Sequence, residues 1–223
     1  DMEDMLILVL VLQALSVSGT SNIGANITTS GTQTYTGAVT LSGSADTVQL
    51  TGSIINFAST ISGGSKSLSL IGATDFDGAV SNINNLVVQG NTDIDADITT
   101  SGNQNYSAGT TTFTSSSTLT AGTVFLGNVT GSTNDITIAG NLTLSGNIAS
   151  GNELTVNSSS TLSGNITTTS HQNYGGNVTL GANNTFTTTN SVVGFGGTVN
   201  SSDSTARNIT ANVGSSTVRF DGI

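Results

Sequence analysis

Three carboxylates recur at every second residue in one short segment. Asp93, Asp95 and Asp97 alternate with Ile94 and Ala96, a period that places all three acids on one face of a strand. Carboxylate oxygens are the ligands that Ca²⁺ prefers, so the segment is a candidate calcium site. A half-buried strand explains the same alternation, and the segment lacks the glycine that makes the sharp bend of a calcium loop. Both interpretations stay open at this point.

A second acidic pair, Asp75 and Asp77, could share an ion with the first segment if the two lay on neighbouring strands. No other set of residues favours catalysis. The only histidine, His171, has no second histidine with which to bind a metal. The three cations are scattered, and no acid pair of the kind that glycosidases use recurs. We therefore predict no catalytic residue, no cofactor and no enzyme, and a polysaccharide-active enzyme is the least favoured class.

One motif contains every tyrosine of the chain. The segment Ile27-Thr-Thr-Ser-Gly-Thr-Gln-Thr-Tyr35 recurs with small changes at 98–106 and at 166–174. Tyr35, Tyr106 and Tyr174 each follow a glutamine by two positions, and an aromatic ring beside an amide suits contact with a sugar or a protein. We therefore treat the three tyrosines as candidates for surface recognition. The alternative is that they pack inside the fold, which their presence in every repeat favours.

Composition excludes several classes of partner. Thr, Ser, Asn and Gly make up more than half of the 223 residues, and all four are poor helix formers. The net charge is −10, with three cations against 13 acids. Nucleic acids and anionic membranes attract clustered Lys and Arg, so neither is an expected partner. Hydrophobic residues at 35% and charged residues at 7% indicate an ordered β-rich chain rather than a disordered one.

The chain consists of three repeats of about 70 residues each. The tyrosine motif recurs at two nearly equal intervals, and Leu15-Ser-Val17 aligns with 86–88 and 154–156. The marker Asp75-Phe-Asp-Gly78 returns as Arg219-Phe-Asp-Gly222. We predict an N-terminal apolar cap or docking segment at 1–14 and repeats at 15–85, 86–153 and 154–223. The repeats form one continuous solenoid in this interpretation.

Within each repeat the pattern is that of short strands. Segments such as 141–145 and 177–180 alternate apolar and polar residues, and Gly, Asn and Ser clusters separate them. Such spacing fits a solenoid or tandem β-sandwich repeats. The repeat is short for a sandwich domain of about 100 residues, and the chain has no Trp to seed a sandwich core. We therefore predict an all-β, right-handed parallel β-helix of about nine or ten rungs, each of about 20 to 24 residues, with rungs about 4.8 Å apart.

The same alternation predicts which side chains face inward. The predicted buried set comprises apolar residues of the repeated strands: Leu15, Val17, Ile27, Val39, Leu86, Val88, Ile98, Leu142, Leu144, Leu154, Val156, Ile166, Val178 and Leu180.

The repeated blocks resemble a known group of proteins. Ile27-Thr-Thr-Ser-Gly31 with its Gln-x-Tyr, Asn141-Leu-Thr-Leu-Ser-Gly-Asn-Ile148 and Arg219-Phe-Asp-Gly222 are similar to the β-strand repeats of filamentous-haemagglutinin-like and other large bacterial surface adhesins. The resemblance covers about residues 14–223 and implies a right-handed β-helix, secretion, and a role as stalk, adhesin or fibre. The family's secretion domain has an Asn-Pro motif, and this chain has no Pro. The implied role is therefore that of a repeat region.

These observations predict a structural or adhesive repeat region of a secreted bacterial surface protein or fibre subunit, located outside the cell. Expected partners are further copies of the chain and a glycan or protein on a host or neighbouring cell. A glycan- or ice-binding solenoid is the alternative, since Thr-rich stretches are abundant, although their T-x-T pairs do not recur at one offset. The apolar run at the N-terminus is shorter than the roughly 20 residues of a membrane span, so no membrane insertion is expected.

The two ends are the predicted assembly contacts. An exposed apolar segment of this size needs a cover, and docking on the last rung of another molecule would produce a head-to-tail filament. The candidate contacts are apolar residues at the two ends: Met5, Leu6, Ile7, Leu8, Val9, Leu10, Val11, Leu12, Phe220 and Ile223.

Overall fold

The chain folds as a parallel β-solenoid. A computed structural model describes residues 12–222, which form 24 strands in one continuous sheet wound through about ten turns. All pairings within this range are parallel, and the range contains no helix. Residues 12–222 therefore contain no helix that could span a membrane. The predicted solenoid of about nine or ten rungs is confirmed, and the tandem-sandwich alternative, which requires antiparallel sheets, is wrong.

The strands are short, apart from a few that bend around corners. In chain order they are β1 Leu15–Val17, β2 Ser21–Ile23, β3 Ile27–Thr28, β4 Gln33–Tyr35, β5 Val39–Leu41, β6 Thr47–Phe57, β7 Ile61–Phe76, β8 Val80–Gln89, β9 Thr92–Ile94, β10 Ile98–Thr100, β11 Gln104–Phe113, β12 Ser117–Thr130, β13 Ile136–Leu144, β14 Ile148–Gly151, β15 Leu154–Val156, β16 Ser160–Leu162, β17 Ile166–Thr168, β18 Gln172–Tyr174, β19 Val178–Leu180, β20 Asn184–Thr187, β21 Val193–Phe195, β22 Val199–Ser201, β23 Ile209–Asn212 and β24 Val218–Phe220.

Each turn visits three faces, which we name by the first strand on each. Face A begins with β1, face B with β2 and face C with β3, and each strand pairs with the strand of the same face one turn later. On face C, for example, Leu126 lies beside Leu144, which pairs with Leu162 and then Leu180. The resulting prism has an interior filled by two side chains from each strand.

Alternation along each strand determines which side chains face inward. In β15 and β19, the outer two residues are buried and the central threonine is half-buried. Eleven residues of the predicted inward set are at most 3% exposed, and Leu15, Val17 and Ile27 pack against the core while partly buried in the first turn. The predicted core is confirmed because a period of two leaves one arrangement that buries the apolar side chains.

The turn is shorter than predicted. Paired residues are 18 to 20 positions apart through most of the rod, as for Thr74, Thr92 and Thr111 on face A. The turn that starts at β4 and the last turn are longer, as the pairs Gln33–Ile55 and Phe186–Ala211 show. The turn length expected from the sequence is therefore wrong for the middle of the rod.

The sequence repeat and the solenoid turn are out of phase. Tyr35 lies on face A, Tyr106 on face C and Tyr174 on face B. Between Tyr35 and Tyr106, the chain completes three turns along face A to Ile94 and then advances two further faces. Each repeat therefore covers about three and two-thirds turns, and three repeats return the motif to its original face after eleven turns.

Candidate functional sites

The tyrosine motif lies inside the solenoid. The alternative that its presence in every repeat favoured, packing inside the fold, is confirmed, and a role in surface recognition is wrong. Tyr35, Tyr106 and Tyr174 are each 0–1% exposed. Burial raises the pKa of all three phenols, that of Tyr35 to about 12. Residues that alternate along a strand point to the same side when they are two apart, so each tyrosine enters the core together with its glutamine.

A hydrogen-bond network explains why the motif combines these residues. The Tyr106 hydroxyl donates to Oε1 of Gln104 at 3.1 Å. Nε2 of Gln104 donates to the carbonyl of Ile98 at 2.9 Å, six positions earlier, and to that of Thr120 at 3.0 Å on the next turn. The buried amide thus joins two corners and the tyrosine.

The other two motifs repeat this network on their own faces. Nε2 of Gln33 donates to the carbonyl of Thr51 at 2.8 Å, and Nε2 of Gln172 donates to the carbonyl of Thr187 at 2.8 Å. The threonine before each corner has its own bond, since the Thr168 hydroxyl donates to the carbonyl of Ser170 at 2.8 Å. Every side chain of the motif that faces inward is therefore part of the corner or the core.

His171 helps to form an outer corner. Its Nδ1 accepts a hydrogen bond at 3.2 Å from the backbone N–H of Val192 on the next turn. In the second repeat Asn103 occupies the same position, and its Oδ1 accepts from the N–H of Thr123 at 3.0 Å. Asparagines at many other corners make the same contact between turns, for example Asn147 with the N–H of Asn165 at 2.8 Å. A ring nitrogen here replaces an amide oxygen.

The carboxylates meet across turns rather than along one strand. Oxygens of Asp75, Asp77 and Asp95 lie within 4.8 Å of one another at the corner between faces A and B. Of the predicted calcium ligands, only Asp95 belongs to this cluster. Oδ1 of Asp97 accepts a hydrogen bond from the N–H of Thr118 at 2.8 Å and so takes part in the next corner. Asp93, Asp95 and Asp97 therefore do not form one cluster, whereas Asp75 and Asp77 meet Asp95 across neighbouring turns, as the sequence allowed.

The acidic cluster is electrostatically unfavourable. Burial raises the pKa of Asp75 to about 6, and the nearby carboxylates of Asp77, Asp93 and Asp95 act in the same direction. The short turn brings these carboxylates close together, because it pairs Asp75 with Asp93 on face A. Three oxygens are half of the smallest ligand number that Ca²⁺ takes, so calcium binding stays a prediction from the sequence.

Hydroxyl groups form one row along face B. Five consecutive turns place Thr40, Ser62, Ser81, Thr99 and Thr120 at the same outward position. The outward position two residues earlier on the same turns does not carry a hydroxyl on every turn, because Ala79 and Asp97 occupy it on two of them. The face therefore offers one row of hydroxyls instead of the paired rows of a T-x-T surface.

A polar depression lies at the corner between faces C and A. Its lining includes Asn91, Ser107, Thr110, Asn128 and Ser145, together with glycines. None of the lining residues is an acid, a base or a nucleophile with a neighbouring base, so the depression offers no group for proton transfer.

The two end turns expose apolar side chains. All seven of the partly buried hydrophobic residues that pack against the core within 12–222 belong to the first or last turn: Leu15, Val17, Ile27, Val199, Ile209, Val213 and Val218. At the C-terminal end, Phe220 is 57% exposed and stacks on Phe195, with ring centroids 5.0 Å apart. At the N-terminal end, Leu12 is 41% exposed. The other predicted assembly contacts, Met5–Val11 and Ile223, lie outside the described residues.

The chain matches no family model, no curated protein and no solved structure in comparisons with known proteins.

Proposed function

We propose that the chain is a rigid spacer: a structural or adhesive repeat region of a secreted bacterial surface protein or extracellular fibre. One observation carries the proposal, namely that the most strongly repeated motif of the sequence serves internal cohesion. Its glutamines and tyrosines are buried and bond one turn to the next. A repeat under such a constraint maintains the shape and length of the rod.

The outer surface supports the same proposal. Corner asparagines bond successive turns, and the polar depression contains no acid or base. At about 4.8 Å per turn, the described part forms a rod on the order of 48 Å long. The resemblance to large bacterial adhesins supports a location outside the cell, and the proposal includes no enzymatic activity.

The location and the spacer role can be tested together. In the source cells, antibody against the chain should label intact cells, and added protease should remove the label. Deletion of residues 86–153, which is one repeat, should shorten the distance between tags at the two ends by about 18 Å, because it removes three and two-thirds turns of about 4.8 Å. Labelling only after lysis would refute the proposal.

The hydroxyl row on face B favours a second candidate, binding to a glycan or to ice. Thr99 lies in the middle of that row, so Thr99→Lys should abolish binding on a glycan array or activity in an ice-recrystallisation assay. Thr161→Lys is the matched control, since Thr161 points outward on face C. Equal effects of the two substitutions, or no binding by the unmodified chain, would eliminate this candidate.

A further inference from the structure

The polar depression at the corner between faces C and A is a notch between two ridges. From the last inward residue of face C to the first inward residue of face A, one turn has four corner residues, 107–110, and the turn two places further on has three, 145–147. The turn between them has only Gly127 and Asn128. The longer corners on either side therefore form the walls, the short corner forms the floor, and the space has a volume of about 360 Å³. We call it the corner notch.

The backbone keeps the floor of the corner notch open. A Cβ on Gly127 would lie 2.8 Å from the carbonyl oxygen of Gly109 and 3.0 Å from that of Ser107, so the preceding turn leaves no room for a side chain there. A glycine at which no side chain fits allows another molecule to approach the backbone closely. The notch is therefore a fixed feature of this corner.

Two asparagine amides on the lining are held in place by the solenoid. Oδ1 of Asn91 accepts a hydrogen bond from the N–H of Thr110 at 3.1 Å, and Oδ1 of Asn128 accepts one from the N–H of Asn147 at 3.0 Å. Within residues 12–222 neither Nδ2 group donates to a protein acceptor. Both Nδ2 groups are thus oriented donors for a ligand.

Two serines add acceptors on opposite walls. The Ser107 hydroxyl donates to Oδ1 of Asn105 at 2.7 Å, and the Ser145 hydroxyl donates to the carbonyl of Leu126 at 3.1 Å. Each proton is already used within the protein, so each hydroxyl oxygen is left to accept from a ligand. Polar groups that are fixed in advance reduce the entropic cost of binding.

An outward aromatic ring lies next to the corner notch. Phe125 stands between two buried residues of β12, is half-buried on the outside of face C, and precedes the floor residue Gly127 by two positions. Residues two apart on a strand point to the same side. The other two Phe and Tyr groups differ, since all three Tyr and the six other Phe occupy inward positions of their strands. The same outward position holds Asn105 and Thr143 on the neighbouring turns, so packing of the core does not account for this ring.

The charges around the corner notch favour a neutral ligand. None of the lining residues is charged, so a cation would meet no carboxylate there. An anion is disfavoured because Asp93 faces outward two positions after Asn91 and the net charge is −10. A neutral sugar has hydroxyl groups around its edge, which donate and accept hydrogen bonds, and C–H groups on its faces, which pack against an aromatic ring.

We propose that the corner notch and the ring of Phe125 together bind a neutral carbohydrate of one or two sugar rings. One C–H face of the sugar lies on the ring of Phe125. Its hydroxyls accept from Nδ2 of Asn91 and of Asn128, and they donate to the oxygens of Ser107 and Ser145. The lining belongs to four successive turns, which extend on the order of 14 Å along the rod. Small-molecule sites have volumes of about 300–1,000 Å³, and the notch is near the lower end of that range.

The proposal rests on the adhesive form of the proposed function, and it assigns sugar binding to a different surface from the hydroxyl row on face B. Because the notch contains no group for proton transfer, the sugar is bound and left unchanged.

Titration of the purified chain with four neutral disaccharides tests the site, with binding followed by nuclear magnetic resonance. The probes are maltose, cellobiose, lactose and N,N′-diacetylchitobiose, and at least one should bind. Asn128→Ala should weaken that binding about tenfold, the effect of losing one oriented donor. Asn165→Ala is the matched control, because Asn165 lies two turns further along the same corner and its Oδ1 accepts from the N–H of Thr185 at 2.9 Å. The two substitutions should lower thermal stability equally, but Asn165→Ala should leave binding unchanged.

A second pair of variants tests the aromatic contact. Phe125→Ala should weaken binding about tenfold or more, whereas Phe125→Tyr, which keeps the ring, should retain it. Val87→Ala is the control, since Val87 is half-buried at the same outward position of face C two turns earlier. It should leave binding unchanged.

Three results would overturn the proposal. They are no binding of any of the four sugars at millimolar concentration, equal binding by Asn128→Ala and Asn165→Ala, and loss of binding in Thr99→Lys but not in Phe125→Ala, which would place the sugar on face B. Each of them would leave the cell-labelling result unchanged. Labelling only after lysis would refute the proposed function and leave the sugar titration of the purified chain unchanged.

Discussion

Replacement of Gln104 by leucine removes the centre of the second buried network. The substitution keeps a side chain of similar size on face C but loses three hydrogen bonds, two to the carbonyls of Ile98 and Thr120 and one from the hydroxyl of Tyr106. A buried polar group left without a partner costs about 1–3 kcal/mol. Because the tyrosine and two carbonyls all lose a partner, we expect Gln104→Leu to lower the free energy of unfolding by about 3–5 kcal/mol.

The measurement is urea denaturation followed by circular dichroism and by tyrosine fluorescence, since the chain has three Tyr and no Trp. Gln49→Leu is the matched control: Gln49 lies on the same face but points outward, so its replacement should change stability by at most about 0.5 kcal/mol. Adding Tyr106→Phe to Gln104→Leu removes the orphaned hydroxyl and should recover about 1 kcal/mol. Equal stabilities of Gln104→Leu and Gln49→Leu would refute the role assigned to the motif.

Three further predictions concern other parts of the rod. The Thr111 hydroxyl is buried without a hydrogen-bond partner, so Thr111→Val should stabilise the chain by about 1 kcal/mol. Thr168→Val should destabilise it, because the Thr168 hydroxyl bonds to Ser170 and Gln172. If thermal melts show that Thr168→Val is stabilising, the reasoning is contradicted. The raised pKa of Asp75 favours its neutral form in the fold, so the group's contribution to stability is full below about pH 4 and is lost as the pH rises through about 6; Asp75→Asn should raise the melting temperature at pH 7 but not at pH 3, and an equal effect at both pH values would refute it. Gly127→Ala would place a Cβ 2.8 Å from the carbonyl oxygen of Gly109 and should lower the free energy of unfolding by about 2 kcal/mol or more. If this variant is as stable as the wild type in the same urea assay, the expectation is wrong.

The inward residues and the favoured packing of the tyrosines inside the fold were predictable from sequence, but the hydrogen-bond partners of the glutamines were not. Strict alternation in segments such as 154–156 and 178–180 determines which side chains enter the core. A Gln-x-Tyr pair follows the same rule, yet its polar atoms also suit a surface contact. Only the positions of the corner carbonyls show that the glutamine has buried partners, and those positions depend on the length of the turn.

The spacing of one set of glycines indicates the length of the turn, although the longer sequence repeat makes this spacing hard to see. Gly52, Gly72, Gly90, Gly109 and Gly127 follow one another at the interval of one turn, and each lies at the corner between faces C and A. Glycine recurs there because a Cβ at Gly127 would crowd the preceding corner. Since the repeat spans three and two-thirds turns, alignment of the repeats does not reveal this period.

The same length decides which acids meet. The short turn pairs Asp75 with Asp93 and brings Asp77 and Asp95 to one corner. The longer turn expected from sequence would separate them. The sequence therefore indicated that the two acidic segments could meet on neighbouring strands, but not which of their carboxylates do so.

The central claim is that the chain is a straight rod whose length grows by one strand spacing per turn. Spin labels on cysteines test it most directly, because the chain has none of its own. Ser16 and Asn212 point outward on face A ten pairings apart, and Ser16 and Thr130 are six pairings apart. Pulsed electron resonance on Ser16→Cys with Asn212→Cys should give about 48 Å between label sites, and Ser16→Cys with Thr130→Cys about 29 Å. Distances that do not scale with the number of turns would contradict the account.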